Sequence, residues 1–296
     1  MQITILGTSS MVPTKDRNHP SVYVEYKGEG MLFDCGEGTQ RQLKIVGISA
    51  MKIKKIFLTH WHGDHVLGLP GLLQTISQNE NPQHIDIYGP KGIKERILML
   101  KNAFLETISL SVKIHEVTQE KVLENEKYII KAYQLDHSAS CIGFRFEEKD
   151  TRRIKMEKLK QEDIPEGPHL VQLQNNKVMT YKGKKYNPKD FTFIKKGKIV
   201  GYCTDTRPCN NVVKIGKDTD LFICEGTYAS KLEEKGNDYG HMTAKQAALF
   251  AHQANTKKLV LVHFSQRYKN IEEVEKDASD IFQNTVCGYD FMKIKL

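Results

Sequence analysis

Long hydrophobic runs are missing from this sequence. No stretch approaches the roughly 20 apolar residues that a membrane-spanning helix needs, and segments such as Leu259–Val262 are only strand-sized. Met1 to Gly7 carry no basic cluster and too short an apolar segment for a secretory signal, so neither export nor membrane insertion is expected. Cysteine is sparse and unclustered: Cys35, Cys141, Cys203, Cys209, Cys224 and Cys287, with no CxxC pair. That excludes a disulfide scaffold, argues against a zinc ribbon or a thioredoxin-like motif, and implies free thiols in a reducing cytoplasm. The glycines of Phe33-Asp34-Cys35-Gly36-Glu37-Gly38 lack GxGxxG spacing, which excludes a dinucleotide loop. Internal repeats and low-complexity tracts are absent as well.

What is present suffices for a globular chain. Of 296 residues, 39% are hydrophobic and 27% charged, enough to bury a core and too apolar for global disorder. The net charge of +8 is concentrated in one place. Between Thr151 and Lys198 stand thirteen Lys/Arg against five Asp/Glu, while the remaining 248 residues balance at 31 against 31. The segment has poor apolar periodicity and is punctuated by Pro165, Gly167, Pro168, Gly183, Pro188 and Gly197. It reads as an inserted, protruding arm within a single domain spanning 1–296. Clustered Lys and Arg are the footprint of polyanion binding. The interleaved Tyr181, Tyr186, Phe191 and Phe193 suit packing of the arm on itself better than base stacking.

On both sides of the arm, short β-rich runs alternate with amphipathic segments. Strands are predicted over 2–8, 21–26, 31–35, 55–59, 85–88, 112–117, 128–135, 143–147, 198–204, 221–224, 258–264 and 291–295. Helices are predicted over 40–45, 66–77, 91–106, 243–252 and 271–282. The pattern is α/β with two sheets.

The string Leu58-Thr59-His60-Trp61-His62-Gly63-Asp64-His65 places four ligand-type residues in six positions at the end of an apolar strand. Imidazole and carboxylate are the donors that zinc and similar divalent ions take. Other strand-like runs end at His137, Asp205 and His263, three further donors that complete two metal positions.

HxHxDH with a separated His, Asp and His resembles the metallo-β-lactamase superfamily. The likeness narrows to ribonuclease Z, the short-form tRNA 3′-processing endonucleases. It is carried by Phe33-Asp34-Cys35-Gly36-Glu37-Gly38-Thr39-Gln40, Pro13-Thr14-Lys15-Asp16-Arg17-Asn18, Cys203-Thr204-Asp205-Thr206-Arg207-Pro208 and His263-Phe264-Ser265-Gln266-Arg267-Tyr268. The resemblance implies an αββα four-layer sandwich binding two Zn²⁺ per subunit, with Mn²⁺ or another divalent ion able to substitute. His60, His62 and His137 would hold one ion, Asp64, His65 and His263 the other, and Asp205 would bridge. Asp64 would also orient or deprotonate the nucleophile. His241 would be the general acid and Glu225 its orienting partner, although the surrounding motifs depart from the family's as Cys224-Glu225-Gly226-Thr227 and His241-Met242-Thr243. Lys15, Arg17 and Asn18 would meet the acceptor-end phosphates. The arm, with Gly167, Pro168, Lys182, Lys184 and Lys185, would be the tRNA-binding exosite. The implied partners are precursor tRNA and a second copy, a homodimer in which one subunit's arm serves the other's active site. The implied products are a tRNA 3′-hydroxyl and a trailer 5′-phosphate. A phosphodiesterase for small or cyclic nucleotides would use the same metal chemistry but has no need of a basic arm. A non-catalytic RNA-binding protein would have no need of the full donor set.

Overall fold

In a computed structural model of the chain, residues 1–78, 84–104 and 110–296 are described. The strands are β1 (Gln2–Gly7), β2 (Ser21–Tyr26), β3 (Glu29–Phe33), β4 (Ile53–Phe57), β5 (His84–Gly89), β6 (Ser111–Glu116), β7 (Lys121–Glu124), β8 (Tyr128–Leu135), β9 (Cys141–Glu148), β10 (Thr151–Ile154), β11 (Met179–Tyr181), β12 (Lys184–Tyr186), β13 (Thr192–Lys195), β14 (Ile199–Cys203), β15 (Leu221–Glu225), β16 (Leu259–Val262), β17 (Thr285–Cys287) and β18 (Lys293–Lys295). The helices are α1 (Thr39–Ile45), α2 (Gly63–Val66), α3 (Leu69–Ser77), α4 (Ile93–Phe104), α5 (Met156–Gln161), α6 (Val171–Gln174), α7 (Pro188–Phe191), α8 (Asn210–Gly216), α9 (Glu233–Tyr239), α10 (Ala244–Gln253) and α11 (Glu272–Ser279). The predicted helix over 91–106 corresponds to α4, and its last two positions lie outside the described residues.

Two sheets of seven strands form the body, ordered β18-β1-β2-β3-β4-β5-β6 and β17-β16-β15-β14-β9-β8-β7. In the first, β3 to β6 run parallel; in the second, β14 to β17 do. The central parallel strands of the second sheet are buried on both faces and read as apolar runs, as 221–224 and Leu259–Val262 do. The period of two sorts their side chains. Ile56, Leu58, Ile85 and Ile87 face a core shared with Leu43 of α1, Leu72 of α3 and Ile97 of α4. Phe222, Cys224 and Leu261 share another with Ile215 of α8, Ala247 and Ala251 of α10, and Val274 of α11. Between the sheets aromatic rings meet: Phe144 lies 5.8 Å from Phe33 and 5.4 Å from Phe57, and Phe33 lies 5.7 Å from Tyr202. The layers are therefore helix, sheet, sheet, helix, the αββα sandwich expected from the sequence.

By its contacts the chain divides into two compact units. One comprises Met1–Glu124, Ile130–Phe146 and Ile199–Leu296; the other comprises Asn125–Ile129 and Glu147–Lys198. The smaller unit holds the basic segment and has a core of its own, built from Leu159, Ile164, Leu170, Leu173, Met179, Tyr186 and Phe191. Its helices and strands are three to six residues long. Such pieces are too short to display a period, which is why the sequence shows only punctuation there. Tyr186 and Phe191 pack edge to face at 5.2 Å, whereas Phe193 stays exposed.

Phe144 is fully buried where both sheets converge. Replacing it with alanine is expected to cost about 3–5 kcal/mol, the range for deleting a buried aromatic side chain. Denaturant titration measures this, and a change below about 1 kcal/mol would show that the sandwich does not depend on this side chain.

Candidate metal centre

Strand ends deliver most of the donors, and Asp64 and His65 lie in the short helix α2 that follows β4. β4 runs out through Leu58 and Thr59 to His60, and His62 is the residue before α2. β8 leads to Asp136 and His137, β14 to Thr204 and Asp205, and β16 to His263. Three residues at such ends adopt a left-handed backbone: Asp34 after β3 (φ 56°), Asp205 (φ 53°) and His263 (φ 64°). That conformation costs a non-glycine residue about 1–3 kcal/mol.

Donor atoms gather into two main sets and a third that overlaps them. His60, His62, His137 and Asp205 form one and Asp64, His65 and His263 the other, with the atoms of each within 4.8 Å of one another; Asp205, His241 and His263 meet the same limit. Asp205 faces both: Oδ1 lies 3.2 Å from His65 Nε2 and from His263 Nε2, while Oδ2 lies 3.7 Å from His60 Nε2 and 3.8 Å from His137 Nε2. Asp64 Oδ2 lies 3.4 Å from both His65 and His263. The chemistry of these groups fits divalent cations. His60 Nε2 is buried without a hydrogen-bond partner among the described residues, an arrangement that costs about 1–3 kcal/mol unless a cation takes up the lone pair. Ring nitrogens face each other at 3.2 Å between His137 and His62 and at 3.3 Å between His65 and His263. Burial, and then the neighbouring His65, hold His60 well below the ordinary imidazole range, in the neutral form a ligand requires. Burial works against ionisation of Asp205, but the neighbouring His263 and His65 outweigh it and keep the carboxylate charged.

A further ring of groups fixes the donors. Asp34, fully buried, accepts from His65 Nδ1 at 2.8 Å, Thr59 N at 2.8 Å and Tyr202 Oη at 2.9 Å. Thr59 Oγ1 meets His60 Nδ1 at 3.0 Å, and Thr227 Oγ1 lies between His263 Nδ1 at 3.0 Å and Glu225 Oε2 at 2.6 Å. The carbonyl of Gly240 accepts from His137 Nδ1 at 2.9 Å. Only glycine suits that position, since φ is +79° and a Cβ would fall 2.6 Å from the same nitrogen. Each partner occupies one ring nitrogen and thereby sets the tautomer that presents the other.

His241 stands beside this centre. Its Nδ1 is 3.2 Å from Glu225 Oε2 and 3.9 Å from Asp205 Oδ2. Burial disfavours its charge, yet the Glu225 carboxylate prevails and pushes the imidazole up to about 9. Thr243 caps α10 through a capping box with Gln246, so His241 is not needed as the cap. The centre opens into a cleft of about 710 Å³.

The other expected contacts lie elsewhere or have local partners. Arg17 donates to the Tyr268 carbonyl at 2.6 Å, and Asn18 gives its amide to the Glu37 carbonyl and its backbone N–H to Asp290. Both hold their loop in place, and Met11 N of that loop donates to Asp64 Oδ2 at 2.9 Å. Lys15 is exposed. Gly167, Pro168, Lys182, Lys184 and Lys185 belong to the smaller unit, where Lys184 pairs with Glu162. The sequence assigns no role to Asp34, Gly240 or the Met11 amide. Asp34 falls within the Phe33–Gln40 motif, while nothing local signals the other two.

Asp34→Asn keeps the shape and removes the charge opposite His65. It is expected to weaken divalent-metal retention about 10–100-fold, read by competition with a chelator while circular dichroism stays unchanged. Wild-type retention would remove Asp34 from the metal-orienting role.

Similarity to known proteins runs over nearly the whole chain. The family model described as anti-Pycsar protein Apyc1 matches residues 1–286. A ribonuclease Z of Methanothermobacter thermautotrophicus is 38% identical over 297 residues, covering 100% of this chain and 97% of the relative. A ribonuclease Z of Bacillus subtilis is 36% identical over 312 residues, covering 100% and 99%. Among solved structures, human tRNase Z, short form, superposes with a TM-score of 0.73 at 29% identity, covering 100% of this chain and 99% of that one.

Proposed function

The chain belongs to the ribonuclease Z family and to the family described as anti-Pycsar protein Apyc1, and on that footing we propose that it is a metal-dependent endoribonuclease that removes 3′ trailers from precursor tRNA. The observation that carries this reading is the pair of donor sets sharing Asp205, at the floor of a cleft that also holds the His241–Glu225 pair. His60, His62 and His137 would hold one Zn²⁺, Asp64, His65 and His263 the other, and Asp205 both. Two divalent ions so held supply Lewis-acid stabilisation of the attacking and leaving oxygens of an in-line displacement.

The chain's own residues do the rest. Asp64 Oδ2, steadied by the Met11 amide, orients the attacking water and takes its proton. His241, with Nδ1 turned to Glu225, has Nε2 left to give a proton to the departing ribose 3′-oxygen. The products are then a tRNA ending in a 3′-hydroxyl and a trailer beginning with a 5′-phosphate. The basic segment acts as a clamp on the tRNA backbone, with Lys15 as a further phosphate contact. The working unit is a homodimer in the cytoplasm, each arm holding the tRNA that the partner cuts. A hydrolase of small phosphodiesters would share the centre, and the localised +8 charge favours the polyanion.

Incubation with a 3′-extended precursor tRNA and mapping of both new ends tests the reading. Chelation followed by dialysis is expected to abolish cleavage, and zinc or manganese to restore it. Full activity in a verified metal-free sample, or a 3′-phosphate on the tRNA, would contradict it.

His241→Ala is expected to slow precursor cleavage by about 10²–10⁴ while metal content stays normal. Concurrent loss of metal would make His241 a ligand instead.

Replacing 151–198 with a short Gly/Ser linker is expected to raise the KM for precursor and flatten its salt dependence. For each phosphate that the arm would have neutralised, the slope falls by roughly 0.7–0.9 log units of affinity per log unit of salt. Turnover of a small chromogenic diester should survive within a few fold. Unchanged precursor cleavage would favour the small-diester hydrolase.

A further inference from the structure

One wall of the cleft takes no part in the chemistry above. Beside His241 it presents Tyr228, Lys235, Tyr239 and Arg267. Tyr239 is 61% exposed, so packing does not account for a large ring at that place. It is the last residue of α9, and that segment is tied to the metal centre. The next residue, Gly240, accepts from His137, and Asn237 accepts from Arg207 Nε at 2.7 Å. The ring is therefore carried on a backbone held in register with a proposed ligand. Lys235, four residues earlier on the same helical face, sets Nζ 5.7 Å from the Tyr239 ring centre. The Arg267 guanidinium lies 5.4 Å from the ring of Tyr228, which is itself 6.3 Å from His241. Among the described residues neither Lys235 nor Arg267 has a carboxylate partner.

Aromatic rings with unpaired cations alongside are the means by which proteins hold single-stranded nucleotides: the ring stacks on the base, and the cation meets the phosphate. We infer that Tyr239 is a stacking platform for the base of the nucleotide bearing the departing 3′-oxygen, with Lys235 and Arg267 serving its adjoining phosphates. This rests on the tRNA-trailer reading above. The side of the scissile bond follows from His241, the proton donor to that oxygen, which is within about 7 Å of chain of Tyr239. A ring face offers no hydrogen-bond code, so the platform demands that a base be present without specifying which.

The test pairs protein variants with two precursors, one intact and one abasic at the nucleotide immediately upstream of the scissile bond. Wild type, Tyr239→Ala and Tyr239→Phe are compared under single-turnover conditions, with metal content checked in each. Tyr239→Ala is expected to lower kcat/KM on the intact precursor about tenfold or more, mostly through KM, and Tyr239→Phe to retain nearly all of it. On the abasic precursor, wild type should itself be slowed, and the gap between it and Tyr239→Ala should shrink to less than about threefold. Equal losses on both precursors, or none on either, overturn the stacking role and leave the trailer reading intact. A wild-type protein that cuts neither precursor overturns that reading and the inference with it.

Discussion

A buried carboxylate set among imidazoles is the contact around which this molecule is arranged. Asp205 lies between His60 and His137 on one side and His65 and His263 on the other. Those four rings come from three separate stretches of chain, and the strands that lead to them belong to both sheets. The sandwich exists, in this sense, to bring the ends of β4, β8, β14 and β16 to one edge. Removing any one strand end would leave charged or lone-pair-bearing atoms buried without company, which is expensive in a dry interior. The aromatic packing between the sheets, centred on Phe144, supplies the rigidity that keeps those ends in register.

Much of this was legible in the sequence, because the signals are local. HxHxDH compresses four donors into one turn, and the buried parallel strands announce themselves as apolar runs ending in Asp205 and His263, as β8 does in His137. The strands β2 and β8 have the predicted limits, and α4, α10 and α11 fall within a few residues of theirs. Elements with few apolar residues went unseen. In α9, Glu233–Tyr239, every residue before the terminal ring is polar or glycine, so no amphipathic stripe exists to find. The short β17 and the helices of the basic unit escaped for want of length. Roles that depend on a distant partner were equally hidden: Asp34 is 31 residues from His65, and Gly240 is 103 from His137.

The basic unit illustrates a division between folding and charge. Seven of its apolar residues pack into a small core, and none of its lysines and arginines belongs to it. In the proposed clamp role, such a unit would act through field and position and leave the reading of substrate to the body of the protein.

The left-handed backbone at Asp34, Asp205 and His263 narrows what evolution can write at those three positions. Aspartate, asparagine and histidine are the side-chain-bearing residues most at home there, and two of the three are also the donors that the chemistry needs. Glutamate keeps the carboxylate but loses that conformational tolerance, while glycine fits the backbone and brings no donor. Each of those two replacements meets one demand and fails the other, and only exchange between aspartate and histidine keeps both. The set of residues that these turns accept is therefore narrower than either the backbone or the donor chemistry alone would allow.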